Sequence, residues 1–310
     1  MESPSRLLKI IFSGILCAII AFSFLYVVHF VHSENRDTAE ELYTVRQNIE
    51  RFLHIKTTFL TDIIPPALSG AKGNYAVVVE SLDSDDSYAL NDHTVYDAAS
   101  LYKLWVMATA YQQIQAGKLD PNETLEDSVD DLNKKFNIAS DEAELTEGTV
   151  SFTVHEALAQ MITISHNYAA LILTQRLGGN TINAFLKDNG LKESTLDTDG
   201  FPKTTAADIA LFYEKLYHGE FANEKYTNEM ISLLVSQQRN NKLPKYLPTD
   251  TVIAHKTGEI NDVTHDAGIV FLPDVKYIIV VLSKSDYPPG AEDRISSISR
   301  AVYDYFADGS

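Results

Sequence analysis

Three short polar clusters in this sequence combine residue types that can carry out acyl transfer. The first is the tetrad Ser100-Leu101-Tyr102-Lys103, in which a serine precedes a lysine by three positions. A serine hydroxyl is a weak nucleophile unless a neighbouring base takes its proton, and a neutral lysine amine can be that base. In a helix, residues three apart lie on one face, so the Lys103 amine can approach the Ser100 hydroxyl. The tetrad therefore predicts a serine nucleophile paired with a lysine base.

The same spacing occurs a second time, at Ser69-Gly70-Ala71-Lys72. The two copies differ in context, because Ser69 lies in a glycine-rich stretch whereas Ser100 opens a strongly apolar predicted helix at 101–117. The first turn of a helix offers free backbone N–H groups and a positive potential, which favour an oxyanion. We therefore expect Ser100 to be the nucleophile. The alternative is that Ser100 only caps the helix and that Lys103 is solvated.

The second cluster, Ser165-His166-Asn167, interrupts an apolar helical stretch. A serine at such a place can pass a proton to a leaving nitrogen, and an asparagine can hold a substrate amide. The alternative is a polar junction between two helices.

The third cluster, Lys256-Thr257-Gly258, ends a predicted strand. Gly258 allows a substrate backbone to approach closely, and a strand edge can pair with an extended peptide. Lys256 and Thr257 suit a carboxylate. Lys256 is also a candidate for a second cation that, together with burial, lowers the pKa of Lys103. The alternative is an ordinary strand end followed by a turn glycine.

The elements that must position these clusters form an α+β pattern. β-branched runs predict two early and three late strands, at 75–79, 88–90, 251–256, 266–272 and 277–283. Most of the sequence between them has helical periodicity, and 293–306 predicts a closing helix. Short connections between the late strands favour antiparallel pairing. We therefore expect a five-stranded antiparallel sheet flanked by helices, with an all-helical subdomain at about 99–245.

The N-terminal segment predicts export. Residues 10–28 carry no charged side chain, which is long enough for a membrane-spanning helix, and Arg6 and Lys9 precede them. We therefore expect a single-pass anchor within 1–33 that places the rest of the chain outside the cytoplasm, with a cleaved signal segment as the alternative. A helical stalk and first helix follow at 34–70, and the catalytic domain at 71–310.

Composition excludes several other functions. The formal net charge of −18 argues against a nucleic-acid partner, which requires a basic surface. The nine histidines are scattered without metal-ligand spacing, so neither a metal nor a cofactor is expected. Cys17 is the only cysteine and lies in the apolar segment, so no intrachain disulfide can form.

We also expect the protein to be a monomer.

In this order, the three clusters resemble the S-x-x-K, S-x-N and K-T-G signature of the class A β-lactamase and penicillin-binding protein superfamily. The flanking sequences 96–104 and 161–170 also resemble class A sequences, and the resemblance covers about 46–310. It implies the β-lactamase/DD-peptidase-like fold and a β-lactam or cell-wall peptide as the small-molecule partner. It implies a nucleophile (Ser100), a base (Lys103), a proton relay (Ser165), substrate-binding residues (Asn167, Lys256, Thr257, Gly258) and an oxyanion hole made by the backbone N–H groups of Ser100 and Glu259.

Two positions depart from the family pattern. Class A β-lactamases carry an E-x-x-L-N motif in an Ω-shaped loop, whose glutamate activates the deacylating water, and 191–204 lacks this motif. Glu193, Asp197 and Asp199 are the candidate substitutes. His166 stands where the family usually has aspartate.

The sequence thus predicts a serine hydrolase of the class A β-lactamase-like family, which hydrolyses β-lactams or is acylated by them. One alternative is a penicillin-binding DD-peptidase that acts on cell-wall peptides. The other is a non-catalytic extracellular sensor or binding domain.

Overall fold

The computed structural model describes residues 59–196 and 201–308. The predicted anchor at 1–33, the stalk residues 34–58, Asp197 and Asp199 lie outside the described residues and stay predictions. Within the described ranges, no helix combines the length and the apolar character that a membrane crossing requires.

A five-stranded antiparallel sheet lies at the centre of the fold, as predicted. The strands are β1 (Asn74–Ser81), β2 (Ser87–Leu90), β7 (Val252–Ile260), β8 (Val263–Phe271) and β9 (Lys276–Lys284). Their order in the sheet is β2-β1-β9-β8-β7, so the early pair is joined to the three late strands through β1 and β9. All five predicted strands fall within or close to these bounds, and the α+β class is confirmed. Among the described strands, β7 pairs only with β8 and is therefore an edge of the sheet.

Helices cover both faces of this sheet. On one face, α1 (Leu60–Leu68) and α9 (Pro288–Asp308) share an apolar cluster with Val77 and Val79 of β1. On the other face, the helical region packs against Ala76 and Val78. Neighbouring β1 residues therefore point into different cores, as strand geometry requires.

The helical region is built around α2, and every residue from Lys103 to Tyr111 is buried. This confirms the predicted central, buried helix. The region consists of α2 (Tyr102–Gln115), α3 (Val129–Lys135), α4 (Val154–Thr163), α5 (Asn167–Leu177), α6 (Gly179–Asp188), α7 (Ala206–Tyr217) and α8 (Glu224–Val235).

The region at about 99–245 is mainly helical, but it also contains the short strands β4, β5 and β6, whose ranges follow. The pair β4 (Thr124–Ser128) and β5 (Thr149–Thr153) is antiparallel, and β3 (Tyr96–Asp97) pairs with β6 (Lys203–Thr204). In β4 and β5 the side chains alternate between buried and exposed over only five residues. So short a period-two pattern is hard to detect between helices.

Helix α1 continues through Pro65 and Pro66, two residues that are unfavourable inside a helix. Each proline lacks the N–H that an interior helical residue donates. The helix start is held by Phe59 N, which donates to the Asp62 carboxylate at 3.0 Å. Leu60 and Ile64 are buried on the side of α9. Tertiary packing therefore outweighs the local cost of the prolines.

Candidate active site

Ser100 lies in a single 3₁₀ turn, Ala99–Leu101, that runs directly into α2. The sequence places Ser100 at the head of the helix, and the structure refines this to the tighter turn just before it. Ser100 is partly exposed, whereas Lys103 is fully buried. A reactive hydroxyl at the surface of a cleft with an amine beneath it suits an attack on a bound substrate.

The Lys103 amine lies at the centre of a hydrogen-bond cluster. Lys103 Nζ donates to Ser165 O at 2.6 Å, to Ser165 Oγ at 3.2 Å and to Asn167 Oδ1 at 2.7 Å. These bonds use all three N–H groups of an ammonium. The expected hydrogen bond between Lys103 and Ser100 is absent from this set, because the donors of Lys103 are already used.

Lys256, which lies in β7, contacts the same serine. Lys256 Nζ donates to Ser165 Oγ at 3.0 Å and to Thr257 O at 2.9 Å, and the side chain is fully buried. The Ser165 hydroxyl therefore lies between two lysine amines. A hydroxyl placed in this way can pass a proton to a neighbouring atom and be reprotonated from an amine.

Burial sets the electrostatics of these two lysines. It lowers the pKa of Lys103 to about 7, with the charge of Glu144 opposing and that of Arg239 adding to the shift. Burial, followed by the charge of Lys103, lowers the pKa of Lys256 well below its ordinary value. The sequence predicts Lys256 as the second cation that lowers the pKa of Lys103 together with burial, but the cation that adds to burial there is Arg239, whereas the charge of Lys103 lowers the pKa of Lys256. Near neutral pH, a large fraction of Lys103 is therefore an unprotonated base.

Ser165 occupies the junction between α4 and α5, in a strained backbone conformation. Of the described non-glycine residues with positive φ, three are asparagines, and the other two are Ala99 at 44° and Ser165 at 63°. Residues other than glycine and asparagine adopt this region only when their surroundings hold them there. Ser165 is itself a candidate site residue, and Ala99 directly precedes Ser100.

His166 explains one departure from the family pattern. Its Nδ1 accepts a hydrogen bond from Ala169 N at 3.2 Å, which caps the N-terminus of α5. Burial, and to a lesser extent the charge of Lys103, lowers the pKa of His166 against the opposing charge of Glu144, and a neutral ring can accept this bond. An aspartate would cap a helix in the same way. The histidine thus keeps a structural function at this position.

The third cluster lies inside β7, so the prediction that it ends a strand is wrong. The strand continues to Ile260 because Glu259 and Ile260 stay paired with Thr264 and Val263 of β8. Gly258 packs against the Ser100 turn, where a methyl group in its place would lie 3.1 Å from Ala98 O and 3.3 Å from Leu101 Cγ. This close packing brings the backbone of Glu259 next to the turn that carries Ser100.

Glu144, Arg239 and Lys242 are charged residues at the site that sequence reasoning missed. Asn167 Nδ2 donates to the Glu144 carboxylate at 2.6 Å, which fixes the orientation of the Asn167 amide towards Lys103. Arg239 Nε donates to Ile164 O at 3.2 Å, and Lys242 forms an ion pair with Glu259. All three lie in polar loops whose composition is typical of solvated surface, so no local signal singles them out.

Glu193, the near match to the missing glutamate, is engaged elsewhere. Its carboxylate contacts His93 Nδ1 at 2.8 Å and accepts from Thr205 Oγ1 at 3.1 Å. Within 59–196 and 201–308, no carboxylate forms a hydrogen bond with Lys103 or Ser165. The described site therefore contains no carboxylate in direct contact with the two central residues.

Comparison with known proteins identifies the family. The model of the beta-lactamase enzyme family matches residues 58–306. A β-lactamase of Bacteroides uniformis is 24% identical, over 79% of this chain and 90% of that protein. The extended-spectrum β-lactamase PER-1 of Pseudomonas aeruginosa is 22% identical, over 81% and 88%.

Solved structures agree with this result. The structure of PBP-A matches with a TM-score of 0.73 at 26% identity, covering 81% of this chain and 97% of PBP-A. A PBP-A mutant in an acyl-enzyme complex with penicillin G matches with a TM-score of 0.69 at 23% identity, covering 80% and 96%. The chain belongs to the beta-lactamase enzyme family. This membership confirms the resemblance and supports a serine β-lactamase-like hydrolase function.

Proposed function

We propose that this protein is a serine acyl-transfer enzyme that β-lactams acylate at Ser100. The observation that carries the proposal is the position of the Ser165 hydroxyl, 3.2 Å from the Lys103 amine and 3.0 Å from the Lys256 amine. Burying an amine on either side of a hydroxyl costs free energy of folding. Buried titratable groups of this kind are concentrated at functional sites. Acyl transfer by a serine needs a base and a proton relay, and this cluster supplies both.

The first step follows from the state of Lys103. In its neutral form the amine donates only two hydrogen bonds, so it has a lone pair that rotation of the amine can turn towards Ser100. Lys103 then accepts the proton of the Ser100 hydroxyl while Ser100 Oγ bonds to the carbonyl carbon of the β-lactam. The backbone N–H groups of Ser100 and Glu259 stabilise the oxyanion that forms on the carbonyl oxygen.

The second step opens the lactam ring. The bond between the carbonyl carbon and the ring nitrogen breaks, and Ser165 Oγ–H protonates that nitrogen. Ser165 is then reprotonated by Lys103, which carries the proton taken from Ser100 and lies within hydrogen-bond distance. The product is an acyl ester on Ser100, and the proton taken from Ser100 has been passed to the leaving nitrogen.

Deacylation is the slow step in this proposal. A water must be activated to hydrolyse the ester, and Glu193, the one candidate for this role among the described residues, is held by His93 and Thr205. The acyl-enzyme should therefore be long-lived, as in a penicillin-binding enzyme, rather than turned over quickly. The PBP-A mutant, which is structurally similar, forms an acyl-enzyme with penicillin G.

The physiological reaction that we favour as a second candidate is cleavage of a cell-wall peptide. The observation in its favour is the free edge of β7, which lies beside the Ser100 turn. An extended peptide can add to such an edge through main-chain hydrogen bonds and present its amide to the nucleophile. The predicted N-terminal anchor would hold such an enzyme at the outer face of the cell membrane, where cell-wall peptides are found.

Intact-protein mass spectrometry with benzylpenicillin tests the proposal. We expect the full-length protein to gain the mass of one penicillin, Ser100→Ala to gain none, and Ser69→Ala to behave as wild type. The gain should persist for minutes or longer, and nitrocefin turnover should be slow. A protein that is never acylated would contradict the proposal and favour a non-catalytic sensor. Rapid loss of the added mass would identify a working β-lactamase.

A further inference from the structure

A second group of charges lies beside the catalytic cluster and takes no part in the steps above. Lys242 is fully buried, and its amine forms an ion pair with the Glu259 carboxylate and a hydrogen bond with Asn241 Oδ1 at 3.3 Å. Arg239 Nη1 lies 3.9 Å from Glu259 Oε2. A buried ammonium is stable only with a charged partner, so Glu259 is essential to the charge balance of Lys242.

This group borders the substrate cleft. Arg239 also donates to Ile164 O at 3.2 Å, next to Ser165 in the chain. Glu259 is two residues beyond Thr257 in β7, so both side chains lie on the same face of the strand. The backbone between them packs against the Ser100 turn through Gly258. An anion bound by Lys242 and Arg239 would therefore lie within reach of a substrate attached to Ser100.

The Glu259 carboxylate behaves as a bound anion. Burial alone would raise its pKa, but the hydrogen bond and charge of Lys242, followed by the charges of Arg239 and Lys256, lower the pKa below its ordinary value. Its side chain is nevertheless 39% exposed, whereas that of Lys242 is not exposed at all. Glu259 therefore covers the buried cation from the solvent side and can rotate away from it without disturbing the core.

We propose that Lys242 and Arg239, with Lys256, form a carboxylate-binding subsite and that Glu259 occupies it as an internal competitor of the substrate's carboxylate. This inference rests on the proposed acylation of Ser100. A β-lactam that carries a free carboxylate must displace Glu259 to use these cations, whereas a β-lactam with an uncharged group at that position need not. Glu259 is thus a specificity-determining residue that disfavours anionic substrates.

A carboxylate rescue experiment tests the subsite independently of enzymatic activity. In Glu259→Ala, the space left by the side chain and the unpaired Lys242 should bind acetate. We expect sodium acetate to raise the melting temperature of Glu259→Ala relative to sodium chloride at equal ionic strength. Wild type should show no such difference, nor should Glu220→Ala, which removes the carboxylate of the remote pair with Lys215. The double variant Lys242→Met/Glu259→Ala should lose the effect.

An acylation experiment tests the competition. The rate of acylation by benzylpenicillin is divided by the rate with its uncharged methyl ester, for wild type and for Glu259→Gln, which keeps the size of the side chain. We expect Glu259→Gln to raise this ratio roughly tenfold, because the carboxylate no longer competes with a charged side chain. Glu220→Gln should leave the ratio unchanged.

The outcomes separate this inference from the proposed function. If wild type is acylated but Glu259→Gln leaves the ratio unchanged, the competition is refuted while the function stands. If no variant is acylated, the proposed function fails, and the acetate experiment alone decides whether the subsite exists. A melting temperature of Glu259→Ala that does not respond to acetate would overturn the subsite. If Glu259→Ala does not fold, the ratio measured with Glu259→Gln decides.

Discussion

The chain contains the same four-residue pattern twice, and the structure gives the two copies opposite surroundings. Ser69 and Lys72 are both exposed, in a loop between α1 and β1. Ser100 lies in a 3₁₀ turn that leads into the most buried helix of the described chain, and Lys103 is inaccessible to solvent. The spacing of a serine and a lysine is therefore not enough to create a reactive pair. What differs is the solvation of the lysine.

The solvation of the lysine matters because it determines whether the amine is protonated at neutral pH. An exposed lysine is protonated at neutral pH and has no lone pair to offer. Lys103 has a pKa of about 7 because burial penalises its charged form. Burial in α2 therefore makes Lys103 a base near neutral pH, which the exposed loop does not do for Lys72.

The largest expected effect is the difference between replacing Lys103 and replacing Lys72 with methionine. Lys103→Met removes the base, so we expect the rate of acylation by benzylpenicillin to fall by about 10²–10⁴. Lys72→Met should leave the rate unchanged. Stopped-flow or quenched mass spectrometry measures both rates, and circular dichroism checks that each variant folds. A Lys103→Met variant that is acylated at the rate of wild type would contradict the role of Lys103 as the base.

The pH dependence of acylation is the next largest effect. Since only neutral Lys103 can accept a proton, we expect the wild-type rate to rise roughly tenfold per pH unit below pH 7 and to level off above it. The rate should be followed from pH 5 to pH 9 at constant ionic strength. In Lys103→Met, the residual rate should lose this inflection near pH 7. A wild-type rate that is flat between pH 5 and pH 7 would contradict a neutral lysine base.

The same lysine makes stability depend on pH. Between pH 7 and pH 10, Lys103 is charged in the unfolded chain but neutral in the folded protein, so folding releases a proton and raising the pH favours folding. The free energy of unfolding of wild type should therefore increase relative to Lys103→Met by about 2 kcal/mol from pH 7 to pH 9. Urea titrations at the two pH values measure this difference. Lys72→Met should follow wild type at both pH values, and a parallel response of Lys103→Met would show that Lys103 stays charged on folding.

Local patterns in the sequence were sufficient for the five strands of the central sheet and for the central helix, but not for the short strands β3 to β6. The start of α7 also has a local cause, because Thr205 caps its first turn by accepting from Asp208 N. The strands were recognisable because β-branched runs are buried on both faces of the sheet. The order of the three polar clusters was equally visible in the sequence.

The contacts between distant segments could not be predicted in the same way. Lys242 follows Arg239-Asn240-Asn241, a composition typical of a solvated loop, yet it is fully buried. Its burial depends on Glu259 and on the packing of the neighbouring Leu243, whose backbone N–H donates to the buried Asp266 carboxylate at 3.0 Å. Glu144 likewise reaches Asn167 across 23 positions of the chain. Such charges are placed by tertiary packing, which leaves no periodic signal.

The smallest expected effect concerns the backbone of the exposed copy. Gly70 has a φ of 72°, and a side chain there would meet no atom within 4 Å, so only the backbone conformation resists substitution. We expect Gly70→Ala to lower the free energy of unfolding by about 1 kcal/mol, because a residue with a Cβ adopts this region reluctantly. Acylation of Ser100 should not change, since α1 and the loop lie on the opposite face of the sheet from the helical region. A urea titration and an acylation rate for one variant therefore test whether the two copies are independent. A change in acylation rate with unchanged stability would show that the loop influences the site after all.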